Sequence, residues 1–260
     1  MPKIAFIGAG STAFAKNVLG DCLITDSLKN AHIALHDIDK EKLHITETML
    51  NNLKENVDKS NPTITAHAKR KEALKGADYV INTINVGGYS SQVIDEKIPF
   101  EQYGLHQTIG DTLGIGGIFK GLRTIPVVLN IAEDMEKLCP DALFINYTNP
   151  MAMITGVMQK ATSIKTIGLC HSVQVCAYNL LQRLGIIDDD INNPRQEYED
   201  VLNVLEKENI KWKIAGINHM AWLLEITKNG EDLYPEIKKR ASMRPTPHID
   251  MVRYEIMKQF

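Results

Sequence analysis

The chain has 260 residues, 44% apolar and 23% charged, with a formal net charge of -3. That length can bury a sizeable core and hold one large domain or two small ones, and the absence of a basic excess argues against a nucleic-acid partner. No apolar run approaches the roughly 18 residues of a membrane span, so no membrane partner is expected. Cys22, Cys139, Cys170 and Cys176 show no framework spacing, which points to free thiols and a cytoplasmic setting.

In chain order, Ile4 to Ile7 is a short apolar run that reads as a buried parallel strand. It leads into Gly8-x-Gly10-Ser11, with Ala13 where a third small residue belongs. Gly8 permits a tight turn, Gly10 lets backbone approach a pyrophosphate, and Ala13 allows close packing of the next helix. The amides and dipole at that helix start would hold phosphate charge. Phe14, Val18, Leu19 and Leu23 form the inner face of that helix, and His32 to Asp37 is the second strand. Asp37 is placed to accept from both ribose hydroxyls and to repel a 2′-phosphate, which predicts NAD. The alternative for Asp37 is a helix cap, a task Asp39 can take. The interval from Gly10 to Asp37 exceeds the usual roughly 20 residues, which a longer helix and the Asp26–Asn30 loop could absorb.

Leu43, Thr46, Met49, Leu50 and Leu53 predict a second amphipathic helix, and Thr63 to Ala66 a short strand. Tyr79 to Ile84 is a strong strand ending in Asn85-Val86-Gly87-Gly88, which reads either as a plain tight turn or as the edge where a parallel sheet binds ligands, with Asn85 then facing the cofactor. Gly104 to Gly121 reads as irregular, followed by a long helix through Leu122, Ile125, Val128, Leu129 and Ala132, with Pro126 near its start either kinking it or marking its first turn. Strands at Ala142–Asn146 and Lys165–Cys170 complete an alternating pattern. The fold class is α/β, a doubly wound, Rossmann-like parallel sheet over residues 1–171. An α+β domain begins over 172–260. Asp188 to Asn209 reads as a solvated insertion, Trp212 to Ile217 as a strand, and Asn229-Gly230 as a turn. The chain stops inside an expected helix, Val252–Phe260, so a missing C-terminal portion is expected.

Cys170 and His219 each end an expected strand in polar company, and thiolate with imidazole suits a divalent metal. Two ligands leave positions open for substrate oxygens. Taken singly, a Cys is more often a small buried apolar group and a His a satisfied core residue. Five motifs occur in order: Gly8-x-Gly10-Ser11, Gly110-Asp111-Thr112-Leu113-Gly114, Thr148-Asn149-Pro150, Gly168-Leu169-Cys170-His171-Ser172 and Gly216-Ile217-Asn218-His219-Met220-Ala221-Trp222. Together they resemble glycoside hydrolase family four, the NAD- and metal-dependent glycosidases, closest to its α-galactosidases.

The resemblance implies NAD on Gly8, Gly10, Ser11 and Asp37, and a Mn2+-type ion on Cys170 and His219. It implies substrate contacts from Asp111, Asn149 and Asn218, and assistance to the leaving group from His171. The family base is commonly Tyr, for which Tyr254 is the candidate. Hydrolysis would run by C3 oxidation, elimination, water addition and re-reduction, on a small-molecule α-galactoside or, as the alternative, an α-glucoside. A homo-oligomer is expected at full length. Ile115 stands where the family usually has Pro. Two rival readings are a 2-hydroxy-acid dehydrogenase, which would need Arg123 as a carboxylate clamp, and an NAD-binding fragment without activity.

Overall fold

A computed structural model describes residues 1–57, 60–170, 172–187 and 198–243. The chain divides into two compact units, Met1–Leu169 and Cys170–Phe260.

In the first unit, β1 (Lys3–Ile7), β2 (His32–His36), β3 (Thr63–His67), β4 (Tyr79–Asn82), β5 (Leu143–Asn146) and β6 (Thr166–Gly168) pair in parallel. Among the described residues their order is β3-β2-β1-β4-β5-β6. That order reverses between β1 and β4, and ligands of open α/β sheets bind at such a switch. β1 is apolar on both faces because both are covered. Ile4 and Phe6 join one core with α1 (Thr12–Ile24) and α2 (Lys40–Glu55) through Leu19, Leu23, Leu43 and Leu50. Ala5 and Ile7 join the other core with α5 (Gly114–Leu138) and α6 (Met151–Ala161) through Val128, Ile131, Met135, Ile154 and Met158. Two further helices, α3 (Arg70–Leu74) and α4 (Gly88–Tyr103), flank β4 in sequence. Nothing in the pattern of residues 88–103 announced α4, which buries only Asp95 and Pro99 among its residues.

Three expectations change here. The stretch to Gly121 is not irregular throughout, since α5 begins at Gly114 and Pro126 lies in its interior rather than its first turn. Gly116 and Gly117 serve close packing: a Cβ at Gly116 would sit 2.3 Å from the Gly110 carbonyl oxygen, and one at Gly117 would sit 2.5 Å from the Thr112 carbonyl. Second, α5, at 25 residues, is long and apolar enough to cross a membrane by length and composition. Its buried stripe packs against β1, β4 and β5 side chains, which accounts for the apolar content. Third, Ala13 is exposed, and the first α1 residue that packs inward is Ala15.

The second unit comprises α7 (Ser172–Arg183), α8 (Tyr198–Lys207), the antiparallel pair β7 (Ile210–Ile217) and β8 (Met220–Lys228), β9 (Glu231–Asp232) and α9 (Tyr234–Met243). Its core joins Ala177, Tyr178 and Leu181 to Val201, Leu205, Ile210, Ile226 and Ile237. The expected solvated insertion at Asp188–Asn209 is therefore overturned at α8, whose Val201 and Leu205 are buried; residues 188–197 lie outside the described residues.

Candidate functional site

The turn after β1 is assembled from both sides. Gly8 has φ 97°, and a Cβ there would lie 2.7 Å from the Thr83 carbonyl carbon, so glycine is demanded twice. The Gly8 and Ala9 amides donate to the His36 carbonyl at 2.9 and 3.0 Å. Asp37 accepts from Gly10 N at 2.7 Å through Oδ2 and from Asp39 N at 2.8 Å through Oδ1. A Cβ at Gly10 would meet that Oδ2 at 2.8 Å. Asp39 caps α2 by accepting from the Glu41 and Lys42 amides, each at 3.1 Å. At the start of α1, by contrast, Ser11 makes no side-chain cap bond, and no acidic residue occupies the first turn. An uncapped helix start behind a glycine turn has amide donors to offer an anion. With a carboxylate at the end of β2, these residues fit a dinucleotide. Asn85, three residues past β4, is exposed.

A second group of polar residues lies in the same unit. Asp111 Oδ2 accepts from Asn149 Nδ2 at 3.1 Å and from Lys120 Nζ at 3.3 Å, while Oδ1 accepts from Thr112 Oγ1 at 2.9 Å. Burial alone pushes the Asp111 carboxyl up, but the Lys120 ammonium and the hydrogen bonds from Thr112, Asn149 and Lys120 outweigh it and hold the carboxyl below its ordinary value. Asp111 is thus an anion that can only accept. Asn149 precedes Pro150 through a cis bond, two residues before α6 begins at Met151. Sequence reasoning missed Lys120, because the residues around it were read as loop. Arg123, the carboxylate clamp that a dehydrogenase would need, is bound instead to Asp95 at 2.6 and 3.3 Å.

In the second unit, Cys170 Sγ lies 3.5 Å from His219 Nε2. Ser172 reinforces the sulfur, with its hydroxyl at 2.9 Å and its amide donating at 3.4 Å. His219 and Asn218 form the two-residue loop between β7 and β8. His219 takes φ 62°, uncommon outside glycine. Two donors bonded to one ion at roughly 2.0 to 2.3 Å stand close to this separation when their bond angle is near tetrahedral or square, so the pair fits a divalent metal. Among the described residues no group of three or more His, Cys, Asp and Glu is arranged for metal binding. The pair offers two donor atoms, a sulfur and an imidazole nitrogen. His171 and Tyr254, expected to move protons, lie outside the described residues.

Residues 3–186 match the family model described as family 4 glycosyl hydrolase, and residues 214–260 match that family's C-terminal domain. The chain belongs to glycosyl hydrolase family 4. This family-4 chain is 56% identical to an α-galactosidase of Bacillus subtilis (strain 168), over 100% of its own length and 56% of the relative's. It is 36% identical to an α-galacturonidase of Thermoanaerobacter italicus, over 91% of this chain and 48% of the relative. A 6-phospho-β-glucosidase from Thermotoga maritima, solved with manganese, NAD+ and glucose-6-phosphate, has the same fold, with TM-score 0.72 at 24% identity, covering 94% of this chain and 55% of that one. The chain spans about half the length of the curated relatives it matches.

Proposed function

We propose that this chain provides the nucleotide, metal and part of the sugar site of an NAD- and Mn2+-dependent α-galactosidase. Gly8, Gly10 and Ser11 form the turn that lies against the pyrophosphate, the amides of the first turn of α1 donate to it, Asp37 accepts from the ribose hydroxyls, and Asn85 borders the cofactor. Residues 1–171 form the dinucleotide domain, and 172–260 begin the substrate and metal domain. Cys170 and His219 hold the ion. When bound, NAD supplies a reversible hydride acceptor and the ion supplies Lewis acidity. Asp111 accepts from sugar hydroxyls, and Asn149 and Asn218 orient the ring. His171 donates a proton to the departing glycosidic oxygen, and Tyr254 removes one from the sugar.

The observation that carries the reading is the approach of Cys170 to His219, 3.5 Å apart across 49 residues. It gives a polar loop pair a purpose that fold stability does not supply. The choice of galactoside is supported by the 56% identity to an α-galactosidase. An α-galacturonide or α-glucoside is the second reading, supported for the former by the 36% identity to an α-galacturonidase.

The test is a panel of nitrophenyl α-galactoside, α-glucoside, α-galacturonide and β-glycosides, with and without NAD and Mn2+, on the complete polypeptide. Hydrolysis of the α-galactoside that vanishes when either cofactor is stripped is the expected result. Undiminished hydrolysis after both are removed would refute the mechanism. Preference for the galacturonide would move the substrate assignment and leave the cofactor assignment standing.

A further inference from the structure

We propose that Lys120 contacts the sugar, donating to one ring hydroxyl oxygen while Asp111 accepts from its neighbour. This rests on the glycosidase reading above. Among the described residues, the buried side chains that can carry a charge are His36, Asp95, Lys120 and Asp134. The fold accounts for three of them. Asp95 is held by both arms of the Arg123 guanidinium. Asp134 is held by Arg70 and Lys71. His36 Nδ1 bonds the His67 carbonyl.

Lys120 is different. It is only 7% exposed, yet its hydrogen bonding among the described residues is one contact, to Asp111 Oδ2 at 3.3 Å. An ammonium has three donors, and burying one with donors unused is costly. The loop it touches does not need it as an anchor. Gly116 and Gly117 already let the 110–112 backbone lie directly on α5, and Gly116 N donates to Gln107 Oε1 at 2.8 Å. What Lys120 adds is a cation beside an anion, both sharing a group with Asn149 past the carboxyl end of β5. Ligands of parallel sheets bind at that edge. A paired donor and acceptor suits adjacent hydroxyls of one pyranose, a neutral vicinal diol.

The experiment compares kcat/KM for nitrophenyl α-galactoside and its monodeoxy analogues in the holoenzyme and in Lys120→Met. A hydrogen bond from a charged group to a hydroxyl is worth roughly 10- to 100-fold. One analogue should suffer such a penalty in the parent enzyme and lose it in Lys120→Met, the other penalties being unchanged. If every deoxy penalty survives in a folded Lys120→Met, Lys120 does not touch the sugar. Should Lys120→Met fail to fold, Lys120→Arg decides by the same comparison. The penalty on that one analogue should change while the others stay as in the parent, and an unaltered set of deoxy penalties in a folded Lys120→Arg overturns the proposal. Failure of the parent enzyme to cleave any α-glycoside with NAD and Mn2+ is the separate result that removes the glycosidase reading.

Discussion

The Cys170 sulfur lies 3.5 Å from Nε2 of His219, a residue 49 positions away on the tip of a β-hairpin. Neither side chain belongs to the core of its unit, whose members are aliphatic and aromatic residues of α7, α8, β7, β8 and α9. The left-handed backbone at His219 is a conformation that glycine would adopt with less strain. The metal site proposed above would give an imidazole a reason to stand there.

Replacement of Cys170 by Ser should therefore lower Mn2+ affinity by at least about 10-fold, the loss that substitution even outside the ligand shell can cause. Dinucleotide affinity should be unchanged. His219→Gly should lose metal in the same way without destabilising the hairpin. Manganese titration followed by electron paramagnetic resonance checks both, and wild-type affinity in either variant rejects that residue as a ligand.

Asp37 holds two backbone amides beside the ribose role proposed for it, whereas Asp39 caps α2. Asp37→Ala should weaken NAD binding and also lower stability by about 1.5–3 kcal/mol in the absence of nucleotide, because the Gly10 and Asp39 amides lose a charged acceptor. Asp39→Ala should cost about 1 kcal/mol through loss of the α2 cap and leave NAD affinity alone. Urea denaturation with fluorescence titration of the nucleotide separates the two.

Two helical glycines should respond oppositely to alanine. At Gly117 the new Cβ would lie 2.5 Å from the Thr112 backbone, so Gly117→Ala should destabilise by about 1–3 kcal/mol. At Gly156, inside α6, nothing lies within 4 Å, so Gly156→Ala should stabilise by up to about 1 kcal/mol. Thermal melts of the pair provide the comparison.

Asp134 is buried against Arg70, with Nε at 3.0 Å and a second, shorter contact from the same guanidinium, and Lys71 at 3.5 Å. Burial pushes its carboxyl up, but the Arg70 hydrogen bonds and the Arg70 and Lys71 charges bring it below its ordinary value. Its stabilising contribution is therefore complete above the unfolded carboxylate value, about 3.9, and is lost as pH falls through the lower folded value. Asp134→Asn should flatten the fall in stability below about pH 4. Arg70→Ala at neutral pH should cost about 3 kcal/mol, the low end for orphaning a buried charge, since Lys71 remains.

The sheet was legible because its strands are short apolar runs buried on both faces, and α1 and α2 because their apolar residues recur at helical spacing. The start of α5 was not, because Gly114, Gly116 and Gly117 look like a flexible loop when two of them are there to admit a neighbouring backbone. That misplacement hid Lys120, which is buried inside the N-terminal part of that helix. Val201 and Leu205 were masked by the charged residues around them, since two apolar side chains suffice to seat a short helix. The nearness of Cys170 to His219 is a property of the hairpin, not of spacing, and only the family resemblance drew attention to the pair.

The double attachment of Asp37 bears on how such a protein could change its nucleotide preference. Accepting a phosphorylated ribose calls for removing that carboxylate, yet the same atoms keep the Gly10 and Asp39 amides in place. A single exchange at this position would trade one selectivity for a slackened turn. Substitutions that re-anchor those amides would have to arrive first, which makes the historical order of changes matter.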